Sequence, residues 1–357
     1  MVYSYGFALF FFIFWCGKWL IHVLSITYGK WKLHKKVKKW PLEHPLPGVS
    51  ILKPLLGVDP NLYSNLETFF TQDYPVFELL FCVEDESDPA IMIVRNLMDK
   101  YPEVDAKLFI GGECVGVNPK INNMSPGYDA AKYELVMISD SGIRIRDDTI
   151  LDMVNHMVDN VALVHQMPFT YDREGFPATL EKIYFGTFQA RIYLAADLLG
   201  ITCHTGMSSL FRKKLLDDVG GIRSFSIYLA EDFFLSKSLT DRGWKTTISS
   251  QPALQNSGFC RIDSFQDRLT RWSKLRLAMV PTTIIFEPLS ECIILVVQNG
   301  SLPFNKLEFL IGWIISEIMG PTVILRALWD PAVRWRTRTF RLKWGGVAEE
   351  IKPKTKT

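Results

Sequence analysis

Between about residues 45 and 250, short β-rich runs alternate with stretches of helical pattern. This alternation is typical of an α/β domain. The run Leu135–Ile138 is apolar without interruption, which indicates a sheet covered on both faces. The predicted strands are Val49–Pro54, Glu78–Val83, Lys107–Ile110, Leu135–Ser139, Ala162–Gln166, Thr205–Phe211 and Lys245–Ser249. The predicted helices are Pro60–Gln72, Ala90–Lys100, Asp147–Met157, Ala178–Ala196, Lys213–Val219 and Asp232–Arg242.

Acidic residues stand at the ends of these elements. Asp85 and Asp88 follow the second predicted strand, and Asp140 follows the fourth. Glu231 and Asp232 open the last predicted helix. Open α/β sheets bind ligands at the carboxyl edge of their strands, and carboxylates gathered there need a cation or a proton. A divalent metal that holds a nucleotide diphosphate meets that need, and a carboxylate free of metal can act as a general base. The pattern therefore predicts sugar transfer from a nucleotide sugar.

Each acidic turn on the donor side also has a simpler interpretation. Asp85 and Asp88 lie where a carboxylate can bind a uracil imide or a ribose hydroxyl, or they are ordinary turn formers. Asp140 is the candidate metal ligand, or the cap of the next helix. Metal-dependent transferases in general carry a second Asp two residues later, where this chain has Gly142. A Mg²⁺ or Mn²⁺ ion would then depend more on phosphate and water oxygens.

The acceptor side is predicted from two later motifs. The Glu231-Asp232 pair supplies a general base for an acceptor hydroxyl, or it caps its helix. Arg268 and Arg271 are three residues apart on a helical stretch, so they would share one face and grip a leaving diphosphate. Trp272 would provide an apolar platform beside them. The alternative is a basic amphipathic helix that lies on a membrane.

Both ends of the chain are apolar. The first apolar stretch, from about Gly6 to Tyr28, has close to the ~20 residues that cross a bilayer. The residues before it carry no positive charge and no small-x-small site follows it, which favours an anchor over a cleaved signal peptide. Lysines between residues 30 and 39 would keep the following chain on the cytoplasmic side. Beyond residue 273, Leu275–Ile285, Ile293–Val297 and Phe309–Leu328 are apolar, and the last approaches spanning length.

Charge and cysteine content exclude some classes of function. The net charge of +2 gives no basis for nucleic-acid binding. The six cysteines are widely spaced and contain no Cys-x-x-Cys pair, which argues against a structural zinc site and a disulfide framework. The sequence divides into an N-terminal transmembrane anchor (1–29), a basic juxtamembrane linker (30–46), a cytosolic catalytic domain (47–272), interfacial and transmembrane helices (273–330) and a basic C-terminal tail (331–357).

Several short motifs resemble the ceramide glucosyltransferase family over nearly the whole chain. They are Val49-Ser50-Ile51-Leu52-Lys53-Pro54-Leu55, Asn118-Pro119-Lys120-Ile121-Asn122-Asn123, Asp140-Ser141-Gly142-Ile143, Phe185-Gly186-Thr187, Thr205-Gly206-Met207-Ser208, Ala230-Glu231-Asp232, Gln255-Asn256-Ser257-Gly258 and Ala327-Leu328-Trp329-Asp330-Pro331. The resemblance implies a GT-A fold, with a mixed, mostly parallel sheet and helices on both faces, tethered by membrane helices at both ends.

The resemblance also implies an activity. It is the inverting transfer of glucose from UDP-glucose to the primary hydroxyl of ceramide, at the cytosolic face of Golgi or ER membranes. The family's motif carboxylates correspond to Asp88, Asp140 and Asp232, with Asp232 as the base. Its Arg/Gln-x-x-Arg-Trp signature corresponds to Arg268, Arg271 and Trp272. A single base and one in-line displacement agree with the absence of a Ser-His or Cys-His nucleophile pair in the sequence.

One departure from the family keeps other functions open. The segment between Cys292 and Lys306 is shorter than the family pattern, as if one membrane pass were missing. The alternatives are a processive membrane polysaccharide synthase, which shares the acidic turns, and a non-catalytic membrane partner. Assembly into a homo-oligomer is also left open by the sequence.

Overall fold

The computed structural model describes residues 2–41, 43–171, 174–256, 258, 261–280, 304–335 and 338–351. Along the chain the strands are β1 (Val49–Leu55), β2 (Phe77–Val83), β3 (Ala106–Ile110), β4 (Leu135–Ser139), β5 (Ile143–Arg144), β6 (Val161–His165), β7 (Pro168–Thr170), β8 (Ser208–Arg212), β9 (Lys245–Ile248), β10 (Ala253–Gln255), β11 (Ala332–Trp335), β12 (Arg338–Leu342) and β13 (Ala348–Glu350). The α-helices are α1 (Val2–Lys32), α2 (Leu62–Phe70), α3 (Ala90–Lys100), α4 (Pro119–Ala130), α5 (Thr149–Asn155), α6 (Phe176–Tyr184), α7 (Ala190–Leu199), α8 (Lys213–Asp217), α9 (Glu231–Thr240), α10 (Ile262–Met279) and α11 (Lys306–Trp329).

A seven-stranded sheet with the order β3-β2-β1-β4-β8-β6-β9 forms the centre of the molecule. Its strands are parallel except for β8, which runs antiparallel to both β4 and β6. Val49 at the start of β1 pairs with Phe77 on one side and Leu135 on the other. The predicted mixed, mostly parallel sheet is confirmed, and the carboxyl ends of β1, β2 and β4 meet at one edge.

Apolar side chains pack on both faces of the sheet. Along β4, Leu135 and Met137 join a cluster with α2, α3 and α5, whereas Val136 and Ile138 join a second cluster with α4, α8 and α9. Successive residues of a strand point to opposite faces, so a strand buried on both sides must be apolar throughout. The predicted covering of both faces is therefore confirmed.

Helix α4 is not among the predicted helices. It contains residues that disfavour helix, including Asn122, Asn123, Ser125, Pro126 and Gly127. Tertiary contacts compensate, because Asn123 Nδ2 donates to the main-chain carbonyls of Leu55 and Cys82, at the ends of β1 and β2. Asn118 caps the first turn and Pro119 follows it, which is a recognisable helix-start signal.

The predicted helix Ala178–Ala196 is three consecutive elements, with a π-helical turn (Phe185–Gln189) between α6 and α7. The two terminal helices pack against it. On α1, Ser25 Oγ donates to the Arg191 carbonyl oxygen of α7 at 3.2 Å. On α11, a Cβ built at Gly312 would lie 2.5 Å from Ile183 Cδ1 of α6, so glycine permits this close approach. The sheet domain is therefore in contact with both long apolar helices, α1 and α11.

Two helices in the described part of the chain are long and apolar enough to cross a membrane, by length and composition, at Tyr5–Lys32 and Lys306–Trp329. Their large apolar side chains, such as Phe7 and Leu325, are exposed. The predicted apolar segment Ile293–Val297 and residues 281–285 of the segment Leu275–Ile285 lie outside the described residues, whereas residues 275–279 form the last turns of α10.

Part of the region predicted as a basic tail forms a separate three-stranded sheet, of the order β11-β12-β13. Val333 and Phe340 from this sheet are buried with Leu229, which precedes α9. An isolated bridge pairs Tyr228 with Val347. Residues 332–335 and 338–350 are therefore packed against the chain segment that leads into α9.

Candidate active site

Asp140 directly follows β4 and its main chain is fixed on both sides. Its N–H donates to the Met207 carbonyl oxygen at 2.9 Å, and its own carbonyl oxygen accepts from Lys53 Nζ at 2.7 Å. Lys53 is fully buried in β1, with Nζ 3.8 Å from the centre of the Phe69 ring. Burial lowers the pKa of Lys53 to about 7, and the charge of Asp140 opposes the shift. The position of the Asp140 turn is thus set by the interior of the sheet.

Asp232 lies in the first turn of α9 with both carboxylate oxygens held by main-chain donors. Oδ2 accepts from the Gly206 N–H at 2.7 Å, and Oδ1 accepts from the Phe233 N–H at 2.9 Å. Burial raises the pKa of Asp232, although Lys120 and these two N–H groups act in the opposite direction. A carboxylate with a raised pKa takes up a proton more readily, which suits a general base.

His204 fixes the main chain of Asp232. Its Nδ1 lies 2.9 Å from the Asp232 carbonyl oxygen, and its Nε2 lies 2.6 Å from Ser209 Oγ. Burial lowers the pKa of His204 to about 4, so the ring is neutral at neutral pH. Because a carbonyl oxygen only accepts, Nδ1 of the neutral ring carries the proton, and the unprotonated Nε2 faces the Ser209 hydroxyl. The sequence pattern favours a structural role for His204.

Lys120 on α4 joins the two acidic turns. Its Nζ lies 2.8 Å from Asp140 Oδ1 and 3.2 Å from Glu231 Oε1. Burial alone would lower the pKa of Lys120, but Asp140 and Glu231 outweigh it and raise the pKa, so the ammonium stays charged. The structure therefore brings together Asp140 and the Glu231-Asp232 pair, and it does so through a lysine that was not among the predicted site residues.

Asp85 and Asp88 lie at the same sheet edge, after β2. Asp88 is buried, and its oxygens accept from the Gly57 N–H at 2.7 Å and the Ala90 N–H at 2.8 Å. It therefore ties the loop after β1 to the start of α3. Asp85 is exposed and accepts from the N–H and Oγ of Ser87, whose N–H lowers the pKa of Asp85. These hydrogen bonds are those of turn formers, and a binding role for either residue stays a prediction.

The two arginines of α10 face different neighbours. Arg268 Nη2 lies 2.6 Å from Glu181 Oε1 of α6, and its guanidinium lies 5.2 Å from the Trp272 ring centre. Arg271 instead lies 5.9 Å from the ring centre of Trp335 in β11. Both residues lie on α10 three positions apart, as expected, but the Arg268 guanidinium contacts α6 and the Arg271 guanidinium lies beside the C-terminal sheet.

Asp140 is the residue that fits a divalent cation. Its side chain is 40% exposed at the sheet edge, and carboxylate oxygens suit Mg²⁺ and Mn²⁺. Within the described ranges, no group of three or more His, Cys, Asp or Glu side chains is arranged to hold a metal ion. A cation bound at Asp140 would therefore need oxygens of a ligand and of water.

Comparison with known proteins decides the family. The family model for glycosyl transferase family 21 matches residues 17–302 and 295–348. The chain belongs to glycosyl transferase family 21. It is a glycosyltransferase, and the resemblance found in the sequence is confirmed. The two matched stretches overlap at residues 295–302, inside the segment predicted to be shorter than the family pattern.

The relatives that were found agree with this assignment. Ceramide glucosyltransferase 3 of Caenorhabditis elegans is 46% identical, over 94% of this chain and 81% of its own length. Ceramide glucosyltransferase 1 of the same organism is 43% identical, over 92% of this chain and 78% of its own length. Among solved structures, a mannosyltransferase from Pyrobaculum calidifontis in complex with GDP-Man and Mn²⁺ is similar, with a TM-score of 0.56, 17% identity and coverage of 87% of this chain and 82% of that chain. The expected GT-A fold is confirmed.

Proposed function

We propose that this chain transfers glucose from UDP-glucose to the primary hydroxyl of ceramide, and releases glucosylceramide and UDP. One observation carries the proposal within the family. A single edge of the sheet holds an exposed carboxylate, Asp140, beside a carboxylate with a raised pKa, Asp232. A sugar-transfer site needs these two groups, one on the donor side and one on the acceptor side. The ceramide glucosyltransferase relatives support the choice of substrates.

Asp232 is the general base in this proposal. It takes the proton of the ceramide hydroxyl while the hydroxyl oxygen forms a bond to C1 of glucose. The bond from C1 to the diphosphate oxygen breaks in the same step, and the electron pair leaves with UDP. One displacement from the opposite side inverts the configuration at C1. The hydrogen bonds from Gly206 and Phe233 orient the carboxylate for this transfer.

Asp85, Asp88 and Asp140 form the donor region. Asp140 would hold a Mg²⁺ or Mn²⁺ ion together with phosphate and water oxygens, and such an ion neutralises charge on the diphosphate. Asp85 is exposed and available to a uracil or ribose group. The hydrogen bonds of Asp88 to Gly57 and Ala90 fix the loop that borders the nucleotide.

Arg268, Arg271 and Trp272 form the diphosphate and acceptor region of the proposal. Arg268 is held by Glu181 and by the Trp272 ring, so it is a fixed positive charge. Arg271 lies beside Trp335 and Arg268 beside Glu181, so we propose that the two arginines contact different parts of the substrates. The ring centres of Trp272 and of Phe185 in the π-helical turn are 6.1 Å apart. This aromatic pair places an apolar surface beside the two arginines.

The membrane arrangement follows from the two terminal helices. We propose that α1 and α11 cross the bilayer, and that the lysines after residue 29 keep the catalytic domain in the cytosol. In this arrangement residues 47–272 face the membrane surface, where ceramide is available. A Golgi or ER membrane is proposed on the family resemblance alone.

The proposal is tested with membranes that carry this chain, supplied with UDP-glucose, ceramide and Mn²⁺. Glucosylceramide is measured by mass spectrometry, beside Asp232→Asn as the matched variant. Asn keeps the size of the side chain but cannot take the proton, so turnover should fall by about 10²–10⁴-fold. A well-expressed protein that binds UDP without turnover would favour a non-catalytic partner. A polymeric sugar product would favour the processive synthase, which the relatives do not support.

A further inference from the structure

The ammonium of Lys120 has three protein acceptors at the centre of the site. They are Asp140 Oδ1 at 2.8 Å, Glu231 Oε1 at 3.2 Å and the Gly206 carbonyl oxygen at 3.2 Å. Each belongs to a different segment, namely the turn after β4, the start of α9 and the chain before β8. Nζ donates a hydrogen bond to the Gly206 carbonyl oxygen, and the two carboxylates lie at ion-pair distance, so three protein oxygens surround the ammonium within 3.2 Å. Lys120 is therefore placed to bind protein groups rather than the diphosphate directly.

The three acceptors are connected to the two carboxylates that the reaction needs. Asp140 is the donor-side residue. Glu231 precedes the base Asp232, and the Gly206 N–H holds Asp232 Oδ2 at 2.7 Å. A shift of Lys120 would therefore change the spacing of Asp140 and Asp232.

We infer that Lys120 is a positioning residue that holds the Asp140 carboxylate against the start of α9, and so aligns the bound nucleotide sugar with the base. This inference rests on the proposed function. Alignment of reacting groups within a fraction of an ångström is a major source of rate enhancement, which a rigid ammonium with three contacts can provide. The side chain of Lys120 is only 14% exposed, so its position is constrained by packing as well.

A purely structural role for Lys120 predicts something different. The Glu231 side chain is only 7% exposed, and a buried carboxylate needs a partner. Lys120 could serve that need alone, without any effect on Asp140. Asn118 Nδ2 also donates to Glu231 Oε2 at 2.8 Å, so a neutral Gln at position 231 keeps a polar partner. The pair Lys120 and Glu231 can therefore be neutralised together to separate the two roles.

The test compares Lys120→Met, Glu231→Gln and the double variant Lys120→Met/Glu231→Gln. Lys237→Met is the matched control, because Lys237 is an exposed lysine on α9 that pairs with Asp241. For each protein, purified in detergent, the melting temperature, the UDP affinity with Mn²⁺ and the kinetic constants for UDP-glucose and ceramide are measured. Methionine replaces the aliphatic part of the lysine side chain and removes the ammonium with its charge.

For Lys120→Met we expect a fall of about 100-fold in kcat and weaker UDP binding, because Asp140 loses its fixed partner. The double variant should regain the wild-type melting temperature, since no buried charge is left alone, but it should keep the low kcat. Lys237→Met should match the wild type. If Lys120→Met does not fold, the double variant still gives the decisive kcat.

Recovery of wild-type kcat in the double variant would overturn the inference, because Lys120 would then only compensate Glu231. The UDP affinity and the melting temperature need no acceptor. If the wild type binds UDP but makes no glucosylceramide, the proposed function is refuted, and the Lys120 inference is still decided by binding. In that case, unchanged UDP affinity in Lys120→Met would overturn the Lys120 inference. Weaker UDP binding in Lys120→Met, together with a wild-type melting temperature in the double variant, would support it.

Discussion

Replacement of Gly206 by alanine should displace the catalytic base while leaving the donor side in place. A Cβ built at Gly206 would lie 3.0 Å from Asp232 Cβ and 3.1 Å from Asp232 Oδ2. Ordinary contacts of this kind begin near 3.4 Å, so Asp232 must move by about 0.4 Å. The Gly206 backbone is outside the left-handed region, so alanine adds no backbone strain there.

The displacement is close to the tolerance of about 0.5 Å within which a catalytic group must be held. A misplacement of 1 Å can cost about 10²-fold, so Gly206→Ala should lower kcat by about 10-fold or more. UDP affinity should stay close to wild type, because the donor-side Asp140 turn is not crowded. Gly320→Ala in α11 is the control, since its Cβ would meet nothing within 4 Å.

The assay measures kcat for glucosylceramide formation and UDP affinity on the same purified samples. A Gly206→Ala variant with wild-type kcat would refute the assignment of Asp232 as a base that Gly206 positions. A matching loss in the Gly320→Ala control would show that the effect does not come from the site.

Three further outcomes follow from the structure. Burial raises the pKa of Asp232, so kcat/KM should fall at acid pH with a midpoint above about 3.9, the pKa of an exposed Asp. A midpoint at or below that value would contradict the assignment of Asp232 as the base. Gly127→Ala should lower the free energy of unfolding by about 1–3 kcal/mol, measured by denaturation in detergent, because its Cβ would lie 2.6 Å from Cys82 Sγ; unchanged stability would contradict this packing. Glu181→Gln should destabilise the protein by about 3 kcal/mol in the same assay, because Arg268 would lose its buried carboxylate, and an equally stable variant would show that this ion pair contributes little.

The strands of the central sheet were predictable because their burial imposes a strong pattern. The predicted bounds of Leu135–Ser139 and Ala90–Lys100 match β4 and α3. Strand β4 was predictable because it is apolar on both faces. Helix α3 was predictable because the Asp88-Pro89 turn marks its start. The strand predicted from Thr205 begins only at Ser208, because residues before it turn toward α9 and place Gly206 against Asp232.

Helix α4 was not predictable from local preference. Its interior contains residues that favour turns, and the helix is stable because Asn123 bonds to the ends of two strands that lie far away in sequence. Lys120 was missed for the same reason, since its role depends on where α4 lies. The different contacts of Arg268 and Arg271 likewise depend on where α6 and β11 lie, which helical spacing alone does not predict.

The sequence by itself determined the alternating architecture, the apolar terminal helices, the acidic turns and the family, because each of these depends on local patterns and short motifs. Only the tertiary structure decided which charges act together. Asp140 and Glu231 come from separate turns, and each is brought to Lys120 by packing of strands and helices. The pKa of Asp232 is likewise raised by burial, a property that a residue acquires only when the rest of the chain surrounds it.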